Sequence, residues 1–236
     1  MNSTTLKIAL VIPVWNEAET IGEVIKSAQE SLDCDIVIVD DASTDSSLVK
    51  TAGEGITTLP LCYNLGAWGA MQTGIRYALS KDYDAVVTMD GDGQHYCSEI
   101  PRLTAALAGG QYDVVVGACP ERGSKLRQFA WRFFRSLTGV GIEDITSGFR
   151  IYNRKSMQVL ADRRATLLDY QDVGVLLLLQ SAGMRVAETK VRMTSRKVGK
   201  SHIFHSWMAV AYYMLLSTVL SVSKGRPFKI SKLNGH

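Results

Sequence analysis

The chain has 236 residues, 46% of them apolar and 21% charged, with a net charge of +3. That length holds one α/β domain or one domain with an appendage, and the apolar content supports a sizeable core. A charge so near balance gives no reason to expect nucleic acid as a partner. The bases are nevertheless uneven. Arg122 to Arg135 holds five bases and no acid, and Arg185 to Lys200 holds six bases and one acid. Such segments suit anion contacts near a site, or a face toward an anionic membrane. Cys34, Cys62, Cys97 and Cys119 lie far apart without a C-x-x-C pair. Neither a zinc site nor a disulfide framework is expected, and a reducing cytosol fits. Met1 to Lys7 is polar, so no secretory signal is expected.

Lys7 to Val14 is an apolar run rich in branched residues and predicts a buried parallel strand. Asn16 stands three residues before Glu19, a capping-box-like pattern that predicts a helix to about Ser31. Asp35 to Asp40 predicts a second buried strand, ending in the carboxylate pair Asp40-Asp41, with Ser43, Thr44 and Asp45 as turn or cap residues. Thr57 to Leu61 predicts a short third strand. Asn64 to Ala78 predicts a helix with Gly66, Ala70 and Gly74 on one face, close enough to approach the sheet or a nucleotide. The G-x-G-x-x-G and G-x-x-x-x-G-K-[ST] fingerprints are both missing.

The apolar run Val86 to Met89 ends abruptly in Asp90-Gly91-Asp92-Gly93-Gln94-His95. In an open α/β sheet, ligands gather where strands end. Two carboxylates at i and i+2 are hard oxygen donors suited to Mg²⁺ or Mn²⁺, and the glycines let a ligand approach closely. An EF-hand is excluded, because its sixth and twelfth loop positions would be His95 and Pro101. The two acidic strand ends are expected on the same edge of a mostly parallel sheet.

Ser98 to Leu107 predicts a helix and Asp113 to Gly117 a buried strand. A polar loop, Cys119 to Lys125, leads to a basic aromatic helix, Leu126 to Leu137. Glu143 to Arg150 predicts a loop entering a strand near Ile151. Arg150 is a candidate ion-pair partner for Asp144. Tyr170 to Gln180 predicts a buried helix and Arg185 to Met193 a strand, followed by the basic loop Ser195 to His202. Ile203 to Val222 carries no formal charge and is long enough to span a bilayer. Ser206, Tyr213, Ser217, Ser221 and Lys224 share one helical face, however, which favours a helix lying on an interface or docked on the protein. The expected division is a catalytic domain over 1–202 and a membrane-interface helix with a basic tail over 203–236.

Six motifs occur in order: Ile12-Pro13-Val14-Trp15-Asn16-Glu17; Asp40-Asp41-Ala42-Ser43-Thr44-Asp45; Asn64-x-Gly66 with its small-residue helix; Asp90-x-Asp92-x-Gln94-His95; Ser147-Gly148-Phe149-Arg150; and Arg196-x-x-Gly199-x-Ser201. Together they resemble the family 2 glycosyltransferases of GT-A fold, most nearly the dolichyl- and polyprenyl-phosphate sugar synthases. The resemblance implies an inverting transferase acting at the cytoplasmic membrane face, with a UDP- or GDP-sugar donor and a polyprenyl phosphate acceptor. It implies nucleotide contacts at Pro13, Glu17, Asp40, Asp41, Asn64 and Asp90. Asp90, Asp92 and Gln94 would hold Mg²⁺ or Mn²⁺ and the donor diphosphate, with Asp92 at the chemical centre. Arg196 and Lys200 would contact the leaving diphosphate, and Arg122, Arg127, Arg132 and Arg135 the acceptor phosphate. For a hydroxyl acceptor instead, Asp144 or Asp172 is the candidate base. The synthase branch often carries Arg where this chain has Cys119, and Ser-Lys where it has Ser201-His202. A lipid acceptor also calls for the 203–222 helix or a small membrane-protein partner.

Overall fold

A computed structural model describes residues 6–32, 34–51, 53–122, 132, 141–168 and 173–194. The predicted Leu126–Leu137 helix and the 203–236 unit therefore lie outside the described residues, apart from a helical Arg132.

Seven strands form one sheet: β1 (Ile8–Val14), β2 (Asp35–Asp40), β3 (Ile56–Pro60), β4 (Ala85–Thr88), β5 (Val114–Ala118), β6 (Arg150–Asn153) and β7 (Val186–Lys190). Their order is β3-β2-β1-β4-β6-β5-β7. All neighbours pair parallel except β6, which runs antiparallel to both β4 and β5. The apolar runs are buried on both faces because helices cover both, as a parallel sheet demands. The alternation of strand side chains divides the core in two. Ala9, Val11, Val37 and Val39 face one cluster, which includes Trp68, Met71 and Ile75 of α3 (Gly66–Ser80). That cluster also takes Met157 and Leu160 of α5 (Arg154–Ala161) and Val175 and Leu179 of α6 (Val173–Ser181). Leu10, Ile12, Ile36 and Ile38 face the other, with Ile21 and Val24 of α1 (Ile21–Ser31) and Leu103 of α4 (Ile100–Ala108). A single helical turn, α2 (Ser47–Lys50), follows β2.

Two expectations change. Asn16 does not cap α1, whose N-cap is Thr20. It takes φ 55° instead, a left-handed conformation that Asn tolerates better than most residues. From there its Oδ1 accepts the Thr44 N–H at 2.8 Å, so the residue joins two loops rather than starting a helix. The stretch after β6, for which no helix was expected, forms α5, capped by Asn153 accepting the Ser156 N–H. Its apolar positions Met157, Val159 and Leu160 are buried among polar neighbours.

The small-residue face of α3 has a packing role. A Cβ at Gly74 would lie 2.3 Å from Val11 Cγ1 and 3.2 Å from Val39 Cγ2. Gly66 differs: it opens the helix at φ +79° and faces open space. At the far side of the sheet, Asp113 joins β5, β6 and β7. Its Oδ2 accepts the Arg185 N–H at 2.9 Å, its Oδ1 accepts the Asn153 amide at 2.9 Å, and Arg185 Nε lies 3.5 Å away. Burial disfavours the charge of Asp113, but these donors outweigh it and hold the carboxyl below its usual range.

Gly74→Ala is expected to destabilise the fold by about 1–3 kcal/mol despite the better helix propensity of Ala, because the methyl overpacks against β1. Urea unfolding measures this, and an unchanged midpoint would mean that Val11 gives way without cost. Asp113 titrates lower folded than unfolded, so its contribution is complete above the unfolded pKa of about 3.9 and disappears as pH falls through the folded value. Asp113→Asn should therefore lower stability at pH 7, with the gap to wild type closing as the pH drops below about 4. A gap that is constant from pH 7 to pH 3 would refute the linkage.

Candidate active site

The tips of three strands build the site. β1 lies between β2 and β4, with Val14 level with Asp40 and Val11 level with Thr88. Both acidic strand ends therefore flank the tip of β1, on the edge expected from the sequence. Their loops are fastened to one another. Asp41 N–H donates to the Val14 carbonyl at 2.8 Å, and Thr20 Oγ1 donates to the Gly91 carbonyl at 2.9 Å. Glu17 N–H donates to Ser47 Oγ at 2.8 Å, and Ala18 N–H to Asp45 Oδ2 at 3.2 Å. Gly91 sits against Pro13, where a Cβ would be 3.4 Å from the Pro13 carbonyl oxygen. Ala42 takes φ 58°, a conformation that is strained for an alanine and leaves the chain turning back beneath Asp41.

Side-chain and backbone donors hold the carboxylates in place. Asp41 Oδ1 accepts the Leu65 N–H at 2.6 Å, while Asn64 Nδ2 donates to the Asp41 carbonyl. Asn64, expected among the nucleotide contacts, thus also braces the loop that carries one. Asp40 is 2% exposed; its Oδ2 accepts the Ser43 N–H at 3.3 Å, and its Oδ1 is buried without a partner among the described residues. Asp92 accepts two bonds from Gln94, from the backbone N–H at 3.0 Å and from Nε2 at 2.7 Å. The Gln94 amide, expected beside the metal, is turned toward Asp92. Asp90 is the open member, with 43% of its side chain exposed and its Oδ2 3.2 Å from His95 Nε2. A Cβ at Gly148 would be 2.8 Å from both Asp90 oxygens, so only glycine leaves that carboxylate its place.

Asp144 is fully buried. Its Oδ2 accepts the Cys119 N–H at 3.4 Å and its Oδ1 accepts the Thr146 hydroxyl at 3.3 Å. Arg150 is fully buried too, donating from Nε to the Ser147 carbonyl at 2.8 Å and from Nη2 to the Ile145 carbonyl at 2.9 Å. Both shape the turn that delivers Gly148 to Asp90. Arg122 closes a 3₁₀ turn, Pro120–Arg122, and Arg132 is exposed. Arg127, Arg135, Asp172, Arg196 and Lys200 lie outside the described residues.

The structure brings to the site residues to which the sequence reading gave no site role, some of them inside its motifs. Trp15, Tyr63 and Leu65 are exposed on loops leaving the same sheet edge, at 47%, 69% and 46%. Large apolar side chains left in water beside carboxylates are the available signal for them. Phe149 and Gly148 also stand against the acidic loop, through a contact between segments far apart in the chain.

The arrangement has known counterparts. A model of the family described as glycosyl transferase family 2 matches residues 9–163. An undecaprenyl-phosphate mannosyltransferase of Micrococcus luteus is 27% identical over 216 residues, covering 83% of this chain and 87% of that protein. An undecaprenyl-phosphate 4-deoxy-4-formamido-L-arabinose transferase of Sodalis glossinidius is 32% identical over 213 residues, covering 83% of this chain and 62% of that protein. Among solved structures, glucosyl-3-phosphoglycerate synthase from Mycobacterium tuberculosis, in complex with Mn²⁺, UDP and phosphoglyceric acid, superposes with a TM-score of 0.69 at 18% identity, covering 92% of this chain and 77% of that one. The sheet with its flanking helices thus has the GT-A fold, and the chain belongs to glycosyl transferase family 2 and is a glycosyltransferase.

Proposed function

We propose that the protein is a metal-dependent, inverting transferase that moves one sugar from a UDP- or GDP-sugar to a polyprenyl phosphate. The observation that carries this reading is the meeting of Asp40 and Asp41 with Asp90 and Asp92 around the tip of β1. Relatives named for transfer to undecaprenyl phosphate support the acceptor class. Pro13, Glu17, Asp40, Asp41 and Asn64 form the nucleotide side. A buried carboxylate oxygen lacking a donor among the described residues, as Asp40 Oδ1 is, suits an N–H or O–H brought by the nucleotide.

The donor set fits a hard divalent ion. Among the described residues no three His, Cys, Asp or Glu side chains gather into a closed nest. Two carboxylates, one of them open to solvent, leave coordination positions for diphosphate oxygens and water, as Mg²⁺ and Mn²⁺ require. Such an ion neutralises the charge that grows on the diphosphate as the sugar–phosphate bond breaks. Asp90 and Asp92 would hold it, and Gln94 fixes the direction in which Asp92 points. Arg196 and Lys200 are proposed to contact the leaving diphosphate.

The state of Asp144 speaks against this residue as the base for a hydroxyl acceptor, while Asp172, the other candidate, lies outside the described residues. A hydroxyl needs a positioned base, whereas a phosphate monoester is already an anion and needs placing and screening. Asp144 is fully buried and is engaged by the Cys119 N–H and the Thr146 hydroxyl, which suits a turn-forming role. Arg122, Arg127, Arg132 and Arg135 are the proposed acceptor-phosphate arginines, since their fork geometry matches phosphate. No helix among the described residues is long and apolar enough to cross a membrane. The proposed attachment is peripheral, at the cytoplasmic membrane face, through the basic segments and residues 203–222, or through a small membrane-protein partner.

The decisive assay offers purified protein, with detergent and Mg²⁺ or Mn²⁺, a panel of radiolabelled nucleotide-sugars and undecaprenyl phosphate. Metal-dependent, butanol-extractable and mild-acid-labile label is the expected result; donor binding without lipid label would point to a glycan hydroxyl as acceptor. Asp92→Asn should lower turnover by about 10²–10³-fold or more with an unchanged melting curve. Gly148→Ala should cut kcat/KM at least about tenfold, because its methyl displaces Asp90 and misplacement at this scale is costly. Wild-type turnover in either variant would remove the acidic loop from the reaction.

A further inference from the structure

We propose that His95 is a positioning residue for Asp90, fixing the direction in which that carboxylate meets the divalent ion and the donor diphosphate. The inference rests on the reading of Asp90 and Asp92 as ligands of that ion. The His95 side chain is 1% exposed, and its Nε2 lies 3.2 Å from Asp90 Oδ2. Its ring is stacked on Phe149, with centroids 5.1 Å apart and planes 26° from parallel. An ionised carboxylate only accepts, so the proton between the pair belongs to Nε2. Nδ1 is buried with no partner among the described residues.

That second nitrogen is the informative one. A buried polar nitrogen without a hydrogen-bond partner costs stability, and a phenylalanine ring would fill the same space against Phe149 without that cost. Packing therefore does not account for an imidazole at this position. What the imidazole adds is the Nε2–H directed at Asp90.

Both ends of the contact are held. The backbone of His95 pairs with Met193, the Gln94 carbonyl accepts the Thr194 N–H at 2.9 Å, and Gly148 closes off the other side of Asp90. Gln94 supports Asp92 in the same way, so each acid of the loop has a dedicated donor. Groups that orient a metal ligand in this manner set the geometry and affinity of the site without touching the ion.

The test measures Mn²⁺ binding by electron paramagnetic resonance in the presence of UDP and, separately, GDP, alongside melting curves. His95→Phe is expected to weaken Mn²⁺ binding about 10–100-fold while melting at or above the wild-type temperature. His95→Gln, whose amide nitrogen can reach the place of Nε2, should recover most of the affinity. In an Asp90→Asn background, His95→Phe should have no further effect. Unchanged Mn²⁺ affinity in His95→Phe, equal losses in the Phe and Gln variants, or an undiminished effect in the Asp90→Asn background would each overturn the proposal. Should His95→Phe not fold, His95→Gln is compared with the shorter His95→Asn, and equal affinities overturn it. Failure of the underlying site reading looks different: wild type and Asp90→Asn would then bind Mn²⁺ equally, or neither would bind it, and the positioning role falls with that reading.

Discussion

Asp40, Asp41, Asp90 and Asp92 leave one sheet edge from two strands separated only by β1. Like charges so placed repel, and more strongly where protein replaces water. The fold keeps them together with oriented dipoles: the Leu65 N–H on Asp41, the Ser43 N–H on Asp40, the Gln94 N–H and amide on Asp92, and His95 on Asp90. Such donors hold each carboxylate in direction. Much of the surrounding architecture serves that arrangement. The Val14 carbonyl at the end of β1 accepts the Asp41 N–H, and Thr20, the residue before α1, reaches the Gly91 carbonyl with its hydroxyl.

Features governed by neighbours in the chain were legible in the sequence. The branched apolar runs became β1, β2, β4 and β5 with small shifts at their ends. The acidic strand ends reached a common edge because strand–helix alternation with a parallel sheet allows little else. The small face of α3 was also visible, and Val11 settles its meaning as close packing at Gly74. Features governed by partners distant in sequence were not legible. Asn16 has the residue type and spacing of a helix cap, but Thr44 offers it a loop-to-loop bond instead. The reversed direction of β6 is set by pairing on both sides, with β4 and β5, which no local pattern records. The contact of Gly148 with Asp90 needs β6 to have been placed first.

The same distinction explains the uneven reading of the acidic residues. Asp90 and Asp92 stand out through spacing and flanking glycines, and geometry leaves one of them open. Asp144 looked equally available in sequence, beside Glu143 in a polar stretch. In the fold its side chain turns inward to the Cys119 N–H, while the Glu143 N–H donates outward to Glu188. Burial of a carboxylate depends on tertiary contacts that composition does not encode.

Hydrogen bonds and ion pairs tie the chain after β7 to the acidic loop and to the start of α4. Glu99, only 4% exposed at the side chain, takes Arg192 Nε at 2.6 Å and lies 3.8 Å from Arg102 Nε. Arg102 in turn donates to the Lys190 carbonyl at 2.8 Å. A buried carboxylate is stable as an ion only with such partners, so it fixes Arg192 more firmly than an exposed pair would. Beyond Arg192, Met193 pairs with His95 and the Thr194 N–H donates to Gln94. The chain therefore passes along the two residues that orient Asp90 and Asp92 just before it enters Ser195. The loop that orients the two carboxylates and the backbone of Met193 and Thr194 consequently share one set of hydrogen bonds.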